Sequence, residues 1–301
     1  MRNERRITST AILAILGTLA FWSAGPIFIK ALTGSLDSFT QNAVRYVAAC
    51  GFALPFLMGA SGRRQFDRRV WRKAIGPAVP NVLMQTLWAA TFYYADPALV
   101  SLLSKTSVLW VAGFSVLLFA EERRLLGSVR FWAGLGLAIT GVVGVLAFKP
   151  GFAAAGTRVG IALALGEAVF SALYTLSIRR CLQDVGSQVG FFVVSLYTAA
   201  ALWVLALVWG HPGQVLAIGA RDWVFVVISG VTAITLGHTF YYAAIKRMGA
   251  AIPALVMLAQ PFGVLMLSRV AFGERMTVAQ IGFGVLLLVG AAAAIWARDD
   301  L

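Results

Sequence analysis

Charged residues are scarce in this sequence. Only 12% of its 301 residues are Asp, Glu, Lys or Arg, while 60% are apolar, and a typical soluble domain has about 25% charged residues. The mean hydropathy is +0.83. A chain so poor in charge cannot cover its surface with groups that water solvates. The composition therefore excludes an ordinary soluble globule and indicates a membrane protein.

Cysteine, histidine and deep acidic residues are also few. The two cysteines, Cys50 in an apolar segment and Cys181 beside two arginines, have neither a disulfide-rich pattern nor the spacing of zinc ligands. A membrane-embedded enzyme would need paired acids, a metal cluster or an activated nucleophile. The sequence offers two histidines, of which His211 lies in a predicted loop, and Glu167 as the one deep acid. We therefore expect no catalytic residue, no metal site and no cofactor.

Long apolar runs are abundant instead. A helix needs about 20 apolar residues to cross the hydrocarbon core of a bilayer. The first run follows arginines but lacks a small-residue cleavage site after it, which favours a membrane span over a signal peptide. The sequence thus predicts an all-α polytopic protein whose ten spans are residues 10–32, 39–59, 74–95, 98–120, 130–148, 158–178, 188–209, 222–245, 249–272 and 277–297.

The basic residues indicate which ends of the spans face the cytoplasm. With the N-terminus inside, 17 of the 25 basic residues lie in cytoplasmic segments and six in outer segments, while Arg45 and Lys105 fall within spans. This positive-inside pattern predicts that both termini are cytoplasmic. Because the net charge of +13 is spread over short loops, it does not predict nucleic-acid binding. We expect Asp37, Arg45 and Asp96 near the outer mouth.

The chain contains an internal repeat. The pentapeptide Thr-Phe-Tyr-Tyr-Ala at 91–95 returns at 239–243, a shift of 148 residues, and at the same shift Trp-Ser-Ala at 22–24 meets Phe-Ser-Ala at 170–172. Each landmark keeps its place within a unit of five spans. Because five is odd, the second copy must enter the membrane with opposite polarity. We therefore predict two inverted repeats, residues 1–150 and 151–301, as in many secondary transporters.

These landmarks also support a family resemblance. The stretch 22–25, the Tyr-Tyr-Ala helix ends, Gln-Pro at 260–261 and Phe-Gly-Glu-Arg at 272–275 before a glycine-rich last span resemble the drug/metabolite transporter superfamily, specifically its ten-helix type with two EamA-like domains. The resemblance implies export of amino acids, metabolites or drugs across a bacterial inner membrane, and is greatest to exporters of aromatic and apolar amino acids. The first half departs from the pattern, with Lys-Thr-Ser at 105–107 near the position of Gln-Pro.

Two charged residues lie deep within predicted spans. Lys105 is about 10 Å and Glu167 about 14 Å from the outer face at 1.5 Å per residue. A charge at this depth must face protein or a water-filled cavity. Comparable depth and opposite charge suggest that the two residues pair across the repeat interface. The alternative is that Lys105 extends outward on its long stem and Glu167 takes a proton.

Helical spacing places further polar and aromatic residues on inward faces. The third span carries Gln85 and Trp88 on one face, the sixth Glu167 and Tyr174, and the eighth His238. For His238 an interhelical hydrogen bond is as good an interpretation as a ligand contact. We expect one water-accessible substrate cavity lined by Gln85, Trp88, Lys105, Glu167, Tyr174, His238 and Gln260, with Gly25, Pro26 and Pro261 as helix-breaking or gating residues.

The leading functional hypothesis is an exporter of small amphipathic metabolites, amino acids including aromatic ones, that works by alternating access. Carriers of drugs or of nucleotide sugars and sugar phosphates are the alternatives within transport, although phosphate recognition usually needs several convergent basic groups. A membrane sensor or scaffold is the alternative of another class. Glycines in the fifth and tenth spans can pack within one subunit or between two, so the oligomeric state stays open and a monomer is compatible with the sequence.

Overall fold

A computed structural model describes residues 9–57, 67–118, 127–148, 155–182, 184–248 and 256–299. Their regular structure is helical, which confirms the all-α prediction for this part of the chain. The helices are α1 (Ser9–Leu32), α2 (Ser38–Leu57), α3 (Arg68–Thr91), α4a (Pro97–Ser104), α4b (Ser107–Leu118), α5 (Val129–Ala147), α6 (Ala155–Cys181), α7 (Ser187–Trp209), α8a (Ala220–Ser229), α8b (Gly237–Met248), α9 (Gln260–Phe272) and α10 (Val278–Asp299).

Five helical segments are long and apolar enough to cross a membrane, by length and composition. They are Ile12–Leu32, Val129–Ala147, Thr157–Ile178, Gln188–Trp209 and Ala220–Tyr241, and shorter apolar stretches cover Pro97–Val111 and Val278–Ala293. The remaining predicted spans carry more polar residues or are interrupted. The chain therefore places substantial polarity inside its helical body, where lipid cannot satisfy it.

Two predicted spans are broken near their middle. The fourth is divided into α4a and α4b by a turn at Lys105 and Thr106. In the ninth, a turn at 258–259 precedes α9, which begins at Gln260, and residues 249–255 of that span lie outside the described residues. A break in the same place in both halves leaves backbone groups that only protein or water can satisfy.

The eighth span is irregular, whereas the first is not. A π-helical segment, Gly230–Leu236, joins α8a to α8b. By contrast, α1 runs unbroken through Gly25 and Pro26, so these two residues do not break the helix as predicted. A Cβ added to Gly25 would lie 3.1 Å from the Cβ of Ala233. Close packing against the π-helical segment therefore supports α1 at this point.

Glycines hold α5 and α10 together within one chain. A Cβ added to Gly141 would lie 2.4 Å from the backbone nitrogen of Leu287, and one added to Gly290 would lie 2.4 Å from the backbone nitrogen of Ala138. Both distances are too short for any side chain. The glycine faces of the fifth and tenth spans are thus used inside the subunit.

The helix contacts repeat five helices further along the chain. Helix α1 packs on the eighth and ninth spans, and α6 packs on the third and fourth. Likewise α3 contacts α7 while α2 contacts the eighth span, and α2 and α7 contact each other. These contacts between the two halves therefore mirror each other.

Loops predicted on the same side of the membrane touch each other. Among the outer loops, the Asp37 carboxylate accepts a bond of 2.8 Å from the His211 backbone nitrogen. Burial alone would raise the pKa of Asp37, but hydrogen bonds from Thr40, His211 and Phe39 lower it below its ordinary value. Among the inner segments, Asp184 forms ion pairs with Arg69 (2.7 Å) and Lys73 (2.5 Å).

Arg45 is buried within the helical body. It is 2% exposed, within α2, and its Nε donates to the Ser229 hydroxyl at 2.8 Å. Because α2 packs on α8a and on the π-helical segment, Arg45 lies between α2 and the eighth span. Asp37 and Asp96 precede α2 and α4a, in loops that the predicted topology places outside the membrane.

Candidate functional site

The breaks in the fourth and ninth spans are joined by side chains. Lys105, at the end of α4a, donates from Nζ to Oε1 of Gln260 at the start of α9, at 2.6 Å. Gln260 is buried, and Pro261 follows it in the first turn of α9, where a missing backbone N–H costs nothing. Two of the predicted site residues thus meet where both helices are interrupted.

Gln260 also repairs the backbone of α1. A proline in a helix cannot donate to the carbonyl four residues earlier, so Pro26 leaves the Trp22 carbonyl without its helical partner. Nε2 of Gln260 donates to that carbonyl at 2.9 Å. The amide of Gln260 is therefore fully oriented, with its nitrogen on α1 and its oxygen on Lys105.

Trp22 extends the contacts toward the eighth span. Its Nε1 donates to the carbonyl of Ala233 in the π-helical segment at 2.9 Å, and its ring centroid lies 5.0 Å from that of His238. His238 in turn stacks on Phe191 of α7, with centroids 4.6 Å apart. A Cβ added to Gly237 would lie 2.4 Å from Nε1 of Trp22, so only glycine leaves room for the indole.

His238 directs its ring nitrogen to its own helix. Nδ1 lies 2.8 Å from the carbonyl of Ile234, four residues earlier. The interhelical hydrogen bond considered for His238 is therefore not what occupies this nitrogen. The ring instead stacks on Phe191 and meets Trp22 in an edge-to-face contact, which builds an aromatic wall from three helices.

Glu167 lies beside Lys105 without a direct ion pair. It is 4% exposed, and the Ser104 hydroxyl bonds to its carboxylate. Its Oε2 has no hydrogen-bond partner among the described residues. The ion pairs of the described residues are those of Asp184. Lys105 and Glu167 therefore do not form the predicted ion pair. Lys105 bonds to Gln260 instead, and Glu167 bonds to Ser104.

The repeat shows that the fold does not need an acid here. At the shift of 148 residues, Glu167 corresponds to Leu19. Near the fourth and ninth spans the repeat shift is 152 residues, as the Glu-Arg pairs at 122–123 and 274–275 show, and there Ser104 corresponds to Val256. Leu19 and Val256 pack in one apolar cluster. An apolar pair thus fills the equivalent place in the other half, and the buried polar pair is an addition beyond packing.

The other predicted residues lie apart from this group. Tyr174, 7% exposed, packs in the apolar cluster of α3, α6 and α7 with Met84. Trp88 packs near Ile29 and edge-on to Phe92 at 4.9 Å. Gln85 is half-buried, and its backbone carbonyl accepts from Asn42 at 2.9 Å.

The central cluster is therefore Glu167, Ser104, Lys105, Gln260, Trp22 and His238, contributed by five of the spans. The contacts described above do not join it to Gln85 or Trp88. Trp22 and Ser104 were not among the predicted site residues, although Pro26, four residues after Trp22, indicates a free carbonyl there. Among the described residues, no three His, Cys, Asp or Glu side chains gather into a possible metal site.

Comparison with known proteins gives one family and one fold. The profile of the EamA-like transporter family matches residues 9–147 and again residues 158–296. The fold is similar to that of a protein of known crystal structure, with a TM-score of 0.66 and 21% sequence identity over 97% of this chain and 98% of that one. No curated protein matches.

Proposed function

This chain belongs to the EamA-like transporter family, and we propose that it exports small amphipathic metabolites, amino acids including aromatic ones, across a bacterial inner membrane. Membership of the family makes it a membrane transporter of small molecules. The substrate class, the direction and the membrane are our proposals, and they rest on the chemistry of the central cluster.

The proposed architecture is ten membrane spans in two inverted repeats, residues 1–150 and 151–301, with both termini cytoplasmic. The mirrored helix contacts and the meeting of loops predicted on the same side support it. In such transporters the site lies near the midplane at broken helices of the two repeats. The turns at 105–106 and 258–259 are the counterparts of those breaks here.

The observation that carries the proposal is the chain of contacts from Glu167 to His238. It offers an unpartnered carboxylate oxygen next to a lysine held by a buried amide, and beside them an aromatic wall. A carboxylate oxygen suits the ammonium group of an amino acid, and the rings suit an apolar or aromatic side chain. The one basic residue in this cluster fits phosphate-bearing substrates poorly.

The placement of the cluster supports alternating access. It joins α1 and α9 of different repeats, and α4a to α9, at the places where helices are already interrupted. Rocking one repeat against the other changes the contacts of Lys105 and Gln260 while leaving the long helices intact. The site is then exposed to one side at a time.

The test is counterflow into liposomes that contain the purified protein. Liposomes loaded with unlabelled phenylalanine, leucine, a sugar phosphate or a cationic dye are each given a trace of the labelled compound outside. We expect accumulation of the labelled amino acids, more for phenylalanine than for leucine, and much less in Glu167→Leu liposomes, since leucine occupies the equivalent position in the first repeat. Accumulation of the sugar phosphate or the dye alone would contradict the proposal.

A further inference from the structure

Arg45 is a buried cation without a counter-ion. It is 2% exposed, and its Nη1 has no hydrogen-bond partner among the described residues. The group that accepts from its Nε, the Ser229 hydroxyl at 2.8 Å, is neutral. The ion pairs of the described residues do not include Arg45. Burying a charge without an opposite charge is energetically costly. We therefore expect this guanidinium to bind an anion that the described residues do not supply.

Lys105 differs from Arg45 in this respect. Its Nζ is held by Gln260 at 2.6 Å, and Glu167, of opposite charge, lies near enough to interact with it. Lys105 therefore has an acid beside it, although the two form no direct ion pair. Among the described residues, Arg45 has no hydrogen bond or ion pair to an acid.

The repeat shows that this polarity is not required for packing. Arg45 belongs to a polar stripe of α2 that also contains Gln41 and Asn42, each 0% exposed and each with an amide oxygen that has no partner among the described residues. At the shift of 148 these three positions are Val189, Gly190 and Val193 of α7. Helix α7 packs there through valines that are 4% and 0% exposed, so the same place in the fold works without a charge.

Arg45 also lies one helical turn from the central cluster. Its anchor Ser229 and the Trp22 anchor Ala233 are four residues apart on the eighth span, close to one turn of the π-helical segment that begins between them. A separation of about one turn resembles that between the carboxylate and the ring of an aromatic amino acid. The π-helical segment begins immediately after Ser229, and such segments occur frequently at functional sites.

We propose that Arg45 binds the carboxylate of the transported substrate, whose apolar side chain extends toward Trp22 and His238. The proposal rests on the proposed function and names the partner that the central cluster lacks. The anion is then part of the substrate and not a resident chloride ion. An arginine suits this role because its fork of donors matches a carboxylate.

The test compares a carboxylate ligand with the same ligand lacking the carboxylate. Binding of L-phenylalanine and of L-phenylalaninamide to the purified protein is measured by calorimetry for the wild type, Arg45→Gln, Arg45→Lys, Lys105→Gln and the exposed-residue control Arg269→Gln. We expect Arg45→Gln to weaken phenylalanine roughly 10- to 100-fold and the amide less than about twofold. Arg45→Lys should lie between, and Arg269→Gln should bind like the wild type.

Each other outcome counts against the proposal. Equal weakening of both ligands by Arg45→Gln would make Arg45 a structural residue, and a carboxylate-selective loss in Lys105→Gln alone would move the role to Lys105. If replacing chloride by sulfate changes wild-type binding while Arg45→Gln leaves phenylalanine affinity intact, the anion is chloride and the proposal is wrong. A wild type that binds no amino acid would refute the proposed function as well, whereas the preceding outcomes leave it standing.

Discussion

Gln260 is the residue on which two parts of the molecule depend. Its amide nitrogen satisfies a carbonyl of α1 that Pro26 deprives of a partner, while its oxygen holds Lys105. A leucine at this position would fill the space but leave the Trp22 carbonyl and the lysine without these bonds. Such unpaired buried groups cost about 1 to 3 kcal/mol each.

The first prediction tests this repair with a double substitution. Gln260→Leu should lower the apparent thermal stability in detergent, and adding Pro26→Ala should recover part of the loss, because a backbone N–H at position 26 can bond the Trp22 carbonyl. Pro55→Ala, in α2, serves as the control proline and should not rescue. Strictly additive losses for the pair at 26 and 260 would show that Gln260 does not act on that carbonyl.

The second prediction concerns the room left for the indole. Because a Cβ at position 237 would lie 2.4 Å from Nε1 of Trp22, Gly237→Ala should displace the ring and weaken an aromatic substrate roughly fivefold. Gly213→Ala is the matched control, since nothing lies within 4 Å of its added Cβ. Counterflow of phenylalanine and of alanine measures the effect. An equal loss for both substrates would argue against an aromatic subsite at Trp22.

At the scale of the helices, α4a depends on an acid from another element. The Asp96 side chain does not cap α4a. Instead Oε2 of Glu274, in the turn after α9, accepts from the backbone nitrogen of Ala98 at 3.1 Å and also bonds the Ser268 hydroxyl. Burial raises the pKa of Glu274, and these hydrogen bonds partly offset the rise. The outer end of the helix that carries Lys105 is thereby tied to the ninth span.

The third prediction follows from this cap. Glu274→Ala should reduce stability by about 1 kcal/mol or more, as the loss of an N-terminal cap does. Glu274→Gln should retain most of it, because the amide oxygen still accepts from the Ala98 nitrogen. Thermal unfolding in detergent distinguishes the two variants. Equal stability of Glu274→Ala and the wild type would mean that the bond contributes nothing to α4a.

Hydropathy does not predict where the helices are broken. The run from 98 to 120 is apolar enough to be drawn as one span, and only Lys105-Thr106-Ser107 interrupts it. Local sequence does not force a turn at these residues, since lysine and serine are compatible with a helix. The turn forms where Lys105 donates a hydrogen bond to Gln260 of the other half, which is a tertiary contact.

For the whole molecule, the contacts between loops lead to a topology prediction. In a background of Cys50→Ala and Cys181→Ala, Gly213→Cys in the turn before α8a should react with an impermeant maleimide added to intact cells. Asp67→Cys, at the start of α3, should react only after permeabilisation. The small space beside Cys181, whose Sγ lies 2.9 Å from an added Cβ at Gly76, makes alanine a suitable replacement. Labelling of position 67 from outside would refute the proposed orientation.

Composition and run length identify the chain as a helical membrane protein, and with the shift of 148 residues they predict its ten spans and two repeats. These features can be predicted because they depend on local chain properties or on the solvent. The sequence also identified Lys105, Glu167, His238 and Gln260 as polar at depth, because lipid penalises such residues wherever they sit.

Which of these residues meet depends on tertiary packing. Spacing gives the face of a helix but not the rotation of that face against a helix 150 residues away, so Tyr174 was grouped with Glu167 although it packs in an apolar cluster. For the same reason the sequence does not predict the bond between Arg45 of α2 and Ser229 of the eighth span. Trp22 became a site residue because the carbonyl freed by Pro26 is satisfied from another helix, a contact that no property of α1 alone specifies.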